Sequence, residues 1–203
     1  MWTLIAFNAL VFWWEFTQGF DYRIFNNYGE IPALVLQGKQ LFSIMTSMFI
    51  HVDFWHILGN MLYLFVFGDN VEDRFGHVKF IFLYFVFGIV GGLLHSTIVV
   101  MSGGVEQFIP TVGASGAISG ILGAYIVFYP RSRIVSIVPS FIFIRLARVP
   151  AFIFIGFWFI LQILYSGGNT SVAYIVHIGG FIAGFTIALT FRAFHREKRT
   201  RWH

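Results

Sequence analysis

Apolar runs alternate with shorter charged or turn-rich intervals along the chain, at about 1–17, 54–68, 78–101, 114–129, 150–166 and 171–191. Runs of this length and composition predict six membrane-spanning helices. The stretch 18–53 breaks the rhythm. It mixes Asp21, Arg23, Glu30, Pro32, Gly38 and Lys39 with apolar residues, is too polar to cross a bilayer, and is expected to lie on or partly in the interface. The first run starts at Met1 without a basic leader region or a small-residue cleavage site, which predicts a retained span in place of a signal peptide. The expected architecture is all-α: one polytopic membrane domain over 1–203, a six-helix bundle with a large interfacial loop between helices 1 and 2 and a basic tail at about 192–203.

Composition agrees with the pattern. Of the 203 residues 58% are apolar and 11% charged, whereas a soluble domain carries about 25% charged residues. Disorder, collagen-like repeats and a nucleic-acid-binding domain are excluded together. The absence of cysteine removes disulfides, thiolate nucleophiles, iron–sulfur clusters and cysteine-rich zinc sites, and no cofactor or metal is expected.

Charge then sets orientation. Arg131, Arg133, Arg145 and Arg148 follow the fourth run, and Arg192, Arg196, Lys198, Arg199 and Arg201 occupy the tail. The positive-inside rule puts both on the cytoplasmic side, and an even number of spans puts both termini there. The opposite face carries Arg23 and Lys39 against Glu15, Asp21, Glu30, Asp53 and Glu106. The net charge of +4 is therefore a topology signal, and the expected surroundings are a lipid bilayer with no nucleic-acid partner.

Polar residues inside spans are costly and point to function. Three clusters qualify: His51-Val-Asp-Phe-Trp-His56-Ile-Leu-Gly-Asn60 opening the second span, Gly113-Ala114-Ser115-Gly116 opening the fourth, and His177-Ile-Gly179-Gly180 with Gly184 in the sixth. His56 and Asn60, four apart, share one helix face. Ser115 and His177 each lie 15 residues before a boundary residue, Pro130 and Arg192, or roughly 22 Å above it at the helical rise. His56 falls at about the same depth and Asn60 somewhat deeper. Gly116, Gly120 and Ala124 on one helix and Gly180 and Gly184 on another are small-residue patterns that let membrane helices approach closely. A serine within reach of an imidazole is an activated nucleophile. No carboxylate falls within a span interior near these residues, so the expected unit is a serine–histidine dyad and not a triad.

These three clusters resemble the motifs of the rhomboid intramembrane serine proteases: H-x-x-x-x-H-x-x-x-N at His51, His56 and Asn60, G-x-S-G at Gly113–Gly116, and H-x-G-G-x-x-x-G from His177 to Gly184. The resemblance covers about residues 40–190. It implies Ser115 as nucleophile, His177 as general base and acid, and His56, Asn60 and the Ser115 backbone N–H as stabilisers of the oxyanion. It implies hydrolysis of peptide bonds in or next to transmembrane segments of other membrane proteins, with a cavity opening to the non-cytoplasmic side and the fifth helix as a gate. The segment Glu72-Asp73-Arg74-Phe75-Gly76 also resembles a family segment with a structural role. Two positions depart from the pattern. Phe42-Ser43 stands where the family often has Trp-Arg, and Ser119 stands where some members have an aromatic residue that packs on the histidine.

Zinc-type intramembrane proteolysis would need H-E-x-x-H, and no histidine here precedes a glutamate. An aspartyl type would need two aspartates within spans. The alternatives are a transporter or channel, which would need two related halves or an ionisable path, and a catalytically inactive relative that binds membrane proteins, against which both Ser115 and His177 speak. A six-helix core without a presequence suggests a prokaryotic plasma membrane. The pattern says nothing of oligomeric state.

Overall fold

A computed structural model describes residues 1–139, 144–167 and 172–194. The described chain is mostly helical. Helix α1 (Trp2–Thr17) leads into three short helices, α2 (Tyr22–Tyr28), α3 (Pro32–Leu36) and α4 (Ser43–Thr46), and a 3-10 turn at Ser47–Phe49. Then come α5 (Phe54–Phe75), α6 (His77–Ser102), α7 (Ser115–Phe128), a hairpin of β1 (Arg133–Pro139) and β2 (Ile144–Pro150), α8 (Ala151–Tyr165) and α9 (Tyr174–Phe194). The helix ends follow local chemistry. The Asp53 carboxylate caps α5 by accepting from the His56 N–H at 2.8 Å, and Gly76 and Gly103, both at positive φ, end α5 and α6.

The apolar runs correspond to helices, with one extension. Helix α5 continues through Asp69, Glu72, Asp73 and Arg74 to Phe75, beyond the boundary at 68, because charge alone does not stop a helix and no breaker occurs before Gly76. By length and composition α6 and α9 can cross a membrane, and the α4 turn together with α5 forms a third candidate bent by 93°. Helices α7 and α8 are shorter and apolar, with 14 and 15 residues.

The all-α expectation needs one correction. The charged interval after α7 forms an antiparallel hairpin with Arg133 opposite Pro150 and Val135 opposite Arg148. Its β-branched content, Ile-Val-Ser-Ile-Val on one arm, favours an extended backbone. Of the basic tail only Arg192 is described, donating to the Val127 carbonyl at 3.1 Å. Residues 195–203, with the remaining tail charges, lie outside the described residues.

Helix α7 is the centre, with eleven of its 14 residues buried. It packs on α9 through glycine. A Cβ on Gly180 would collide with the Gly116 carbonyl, and one on Gly184 with the Gly120 carbonyl, so the two backbones touch. Phe87, Leu122, Ile121 and Phe181 fill the space around this contact.

The segment 18–53 is folded down onto the bundle by two carboxylates that the charge pattern groups with the outer-face residues. Glu15, fully buried at the end of α1, accepts from the His51 N–H at 3.1 Å. Glu30 is also buried. Its side chain accepts from the Ser96 hydroxyl at 2.6 Å, and its backbone pairs with Thr111 at 2.9 and 2.8 Å. Gly92 of α6 leaves the room that the Glu30 carboxylate fills. At the Phe42-Ser43 position, Phe42 is exposed and Ser43 buried, so Glu15 and Glu30 do the anchoring, with help from the Thr46 hydroxyl, which donates to the Tyr28 carbonyl at 2.7 Å.

Candidate active site

Ser115 is the first residue of α7, so its backbone N–H belongs to the helix turn that has no intrahelical acceptors. The chain enters through Gly113, at φ +120°. A Cβ there would lie 2.6 Å from His56 Nε2 and 3.6 Å from Asn60 Nδ2. Glycine is needed twice over, for the backbone angle and for the space. The Gly113 N–H donates to the Ser47 carbonyl at 2.8 Å, which ties the site to the folded-down segment.

All four singled-out side chains come to one place. His177 Nε2 lies 2.8 Å from Ser115 Oγ, a separation made possible by the glycine contact one turn below. His56 and Asn60 present from α5 on the other side of Gly113. Asn60 Nδ2 is buried with no partner among the described residues, which marks a donor awaiting an acceptor. His51 does not reach the serine. Its ring lies edge-on to His56 with centroids 5.0 Å apart, and its Nδ1 is 3.2 Å from the Phe49 carbonyl, so it props His56.

Two features of the site are not foreseen by the sequence motifs. Gln162 of α8 places its Oε1 2.7 Å from His177 Nδ1. The polarity of a lone glutamine in an otherwise apolar helix is the signal that could have found it. The second concerns the missing aromatic: the Ser119 hydroxyl donates to the Ser115 carbonyl at 2.6 Å. Instead Trp158 of α8 and Tyr174 of α9 flank the imidazole, with centroids at 6.1 and 6.2 Å. His95, given no role from sequence, bonds Thr111 at 3.1 Å beside Glu30.

Ser115, His177, His56 and Asn60 line a cavity of about 1180 Å³ that extends past Thr111 to Glu30. Among the described residues no group of three His, Cys, Asp or Glu side chains could hold a metal ion. Chemically, the arrangement offers a hydroxyl paired to an imidazole, with the unpaired Asn60 amide and the His56 ring against Gly113, two residues before the first residue of α7.

Residues 38–194 match the rhomboid domain family. The chain is 27% identical over 168 residues to Rhomboid-like protease 1 of Toxoplasma gondii, covering 79% of this chain and 50% of that protein. It is 30% identical over 191 residues to the mitochondrial RHOMBOID-like protein 12 of Arabidopsis thaliana, covering 87% and 54%. It is 29% identical over 158 residues to Rhomboid protease GluP of Bacillus subtilis, covering 77% and 27%. The chain thus spans about half or less of the length of these relatives.

Proposed function

Because the chain belongs to the rhomboid family, we propose that it is an intramembrane serine endopeptidase that hydrolyses peptide bonds in or near transmembrane segments of other membrane proteins. The observation that carries this is the 2.8 Å contact between Ser115 Oγ and His177 Nε2 beside an unpaired Asn60 amide.

In the reaction Ser115 Oγ attacks the scissile carbonyl while His177 Nε2 takes the hydroxyl proton. The proton passes to the departing amine, and a water activated by the same nitrogen then releases the acyl group. The tetrahedral oxygen forms next to the Ser115 N–H, Asn60 Nδ2 and His56, where preorganised donors act without reorganisation. The carbonyls of a helical substrate are already bonded, so a substrate has to unwind locally, which favours small or helix-breaking residues near the cut. We place the domain in a plasma membrane as a six-span bundle, both termini cytoplasmic, with the cavity opening to the other side. The charge distribution along the sequence supports that orientation.

The test is labelling of the detergent-solubilised protein with a fluorophosphonate. Wild type should label and cleave a model transmembrane substrate, while Ser115→Ala should do neither and His177→Ala should lose at least about a thousandfold in rate. Equal labelling of wild type and Ser115→Ala would sink the assignment.

A further inference from the structure

Helix α8 is apolar over nearly its whole length and buries only Ala151, Ile155 and Gln162. An amide without partners is costly in such a setting, yet Gln162 is one of the three buried residues. Both ends of its amide are engaged. One contact, at 3.1 Å, is to the backbone carbonyl of Trp158, which can only accept, so the group facing it is the NH₂. The oxygen therefore faces His177 Nδ1 at 2.7 Å, and an oxygen can only accept there. Nδ1 must carry the hydrogen. In a neutral imidazole that leaves Nε2 with its lone pair, directed at Ser115 Oγ 2.8 Å away. A backbone carbonyl thus dictates the amide orientation, the amide dictates the tautomer, and the tautomer makes Nε2 the base.

We propose that Gln162 is a positioning residue for His177, an uncharged third member that holds the imidazole in the tautomer able to take the serine proton. The proposal rests on the serine-protease assignment. It replaces the bare dyad expected from the lack of an intramembrane carboxylate: an amide oxygen supplies the orienting acceptor without a buried charge. Unlike the serine and the histidine, this acceptor arrives from α8, so the base is ready only while α8 is seated against α9.

The experiment compares Gln162→Met, which keeps length and loses the acceptor, with Gln162→Glu, which keeps an oxygen at the same position. Substrate turnover and fluorophosphonate labelling at Ser115 are measured on the full chain. Gln162→Met should lower kcat by on the order of ten- to a hundredfold with KM unchanged, as expected for a buried donor left unpaired, and Gln162→Glu should recover to within a fewfold of wild type. Wild-type turnover in Gln162→Met, or an equal loss in both variants, would overturn the proposal. Nitrogen NMR of wild-type protein with labelled histidine gives an answer independent of how the variants fold. A hydrogen on His177 Nδ1 is expected, and a hydrogen on Nε2 overturns the inference. If wild type fails to label at Ser115, the protease assignment fails, and the NMR result still decides the tautomer.

Discussion

The seam between α7 and α9 and the segment over residues 18–53 are held by opposite means. In the seam, glycines bring backbone onto backbone with no charge involved, and the contact is a sum of many small dispersion terms over closely fitted atoms. The segment is seated instead by individual hydrogen bonds to two buried carboxylates, Glu15 and Glu30. A backbone seam sets a distance that cannot relax by rotating a side chain, and it fixes the helices that carry Ser115 and His177. An attachment through carboxylates responds to pH, and the segment it seats borders the same cavity through Ser47 and Gly113.

The sharpest way to break this contrast is Gly184→Ala, whose Cβ would overlap the Gly120 carbonyl. It should cost about 3 kcal/mol and abolish labelling of Ser115. An unchanged melting temperature in detergent would show that the seam is looser than its geometry.

The carboxylate attachment is tested by pH. Burial, only partly offset by the bond from Ser96, pushes the Glu30 carboxyl up to about 7 from an ordinary 4.5. The folded state then binds the proton more tightly than the unfolded chain does. Stability from this group is complete below about pH 4.5 and declines as pH rises to about 7, by about 3 kcal/mol at most. Thermal unfolding across that window should show the decline in wild type and a smaller one in Glu30→Gln, in which the buried Glu15 carboxylate remains.

The smallest effect is the control for the first. At Gly156 of α8 an added Cβ would meet nothing within 4 Å, so Gly156→Ala should leave labelling intact and raise stability by up to about 1 kcal/mol. Destabilisation comparable to Gly184→Ala would mean that glycine content, and not backbone contact, governs both helices.

Much of the site is legible in the sequence because its residues violate the apolar pattern. Ser115, His177, His56 and Asn60 are polar groups where hydrocarbon is expected, and the glycines near them announce close approach. Gln162 violates the pattern equally, but no spacing relates it to His177, since the two sit on different helices and meet only through packing. Glu15 and Glu30 are hard to place for a related reason: a carboxylate at a span end looks solvated until a donor from elsewhere, the His51 N–H or the Ser96 hydroxyl, is seen to cover it. The hairpin after α7 is hidden because the arginines of that interval carry the topology signal and draw attention from the β-branched residues between them.

What the sequence by itself determined is the set of apolar helices, the sorting of basic charge along them, and the few polar residues that could do chemistry, since hydropathy and local capping depend on near neighbours alone. Only the tertiary structure decided which nitrogen of His177 faces Ser115, which side chain meets the other, and which acids are buried. Those are properties of atoms brought together across 15 to 66 residues of chain, and no local pattern encodes such contacts.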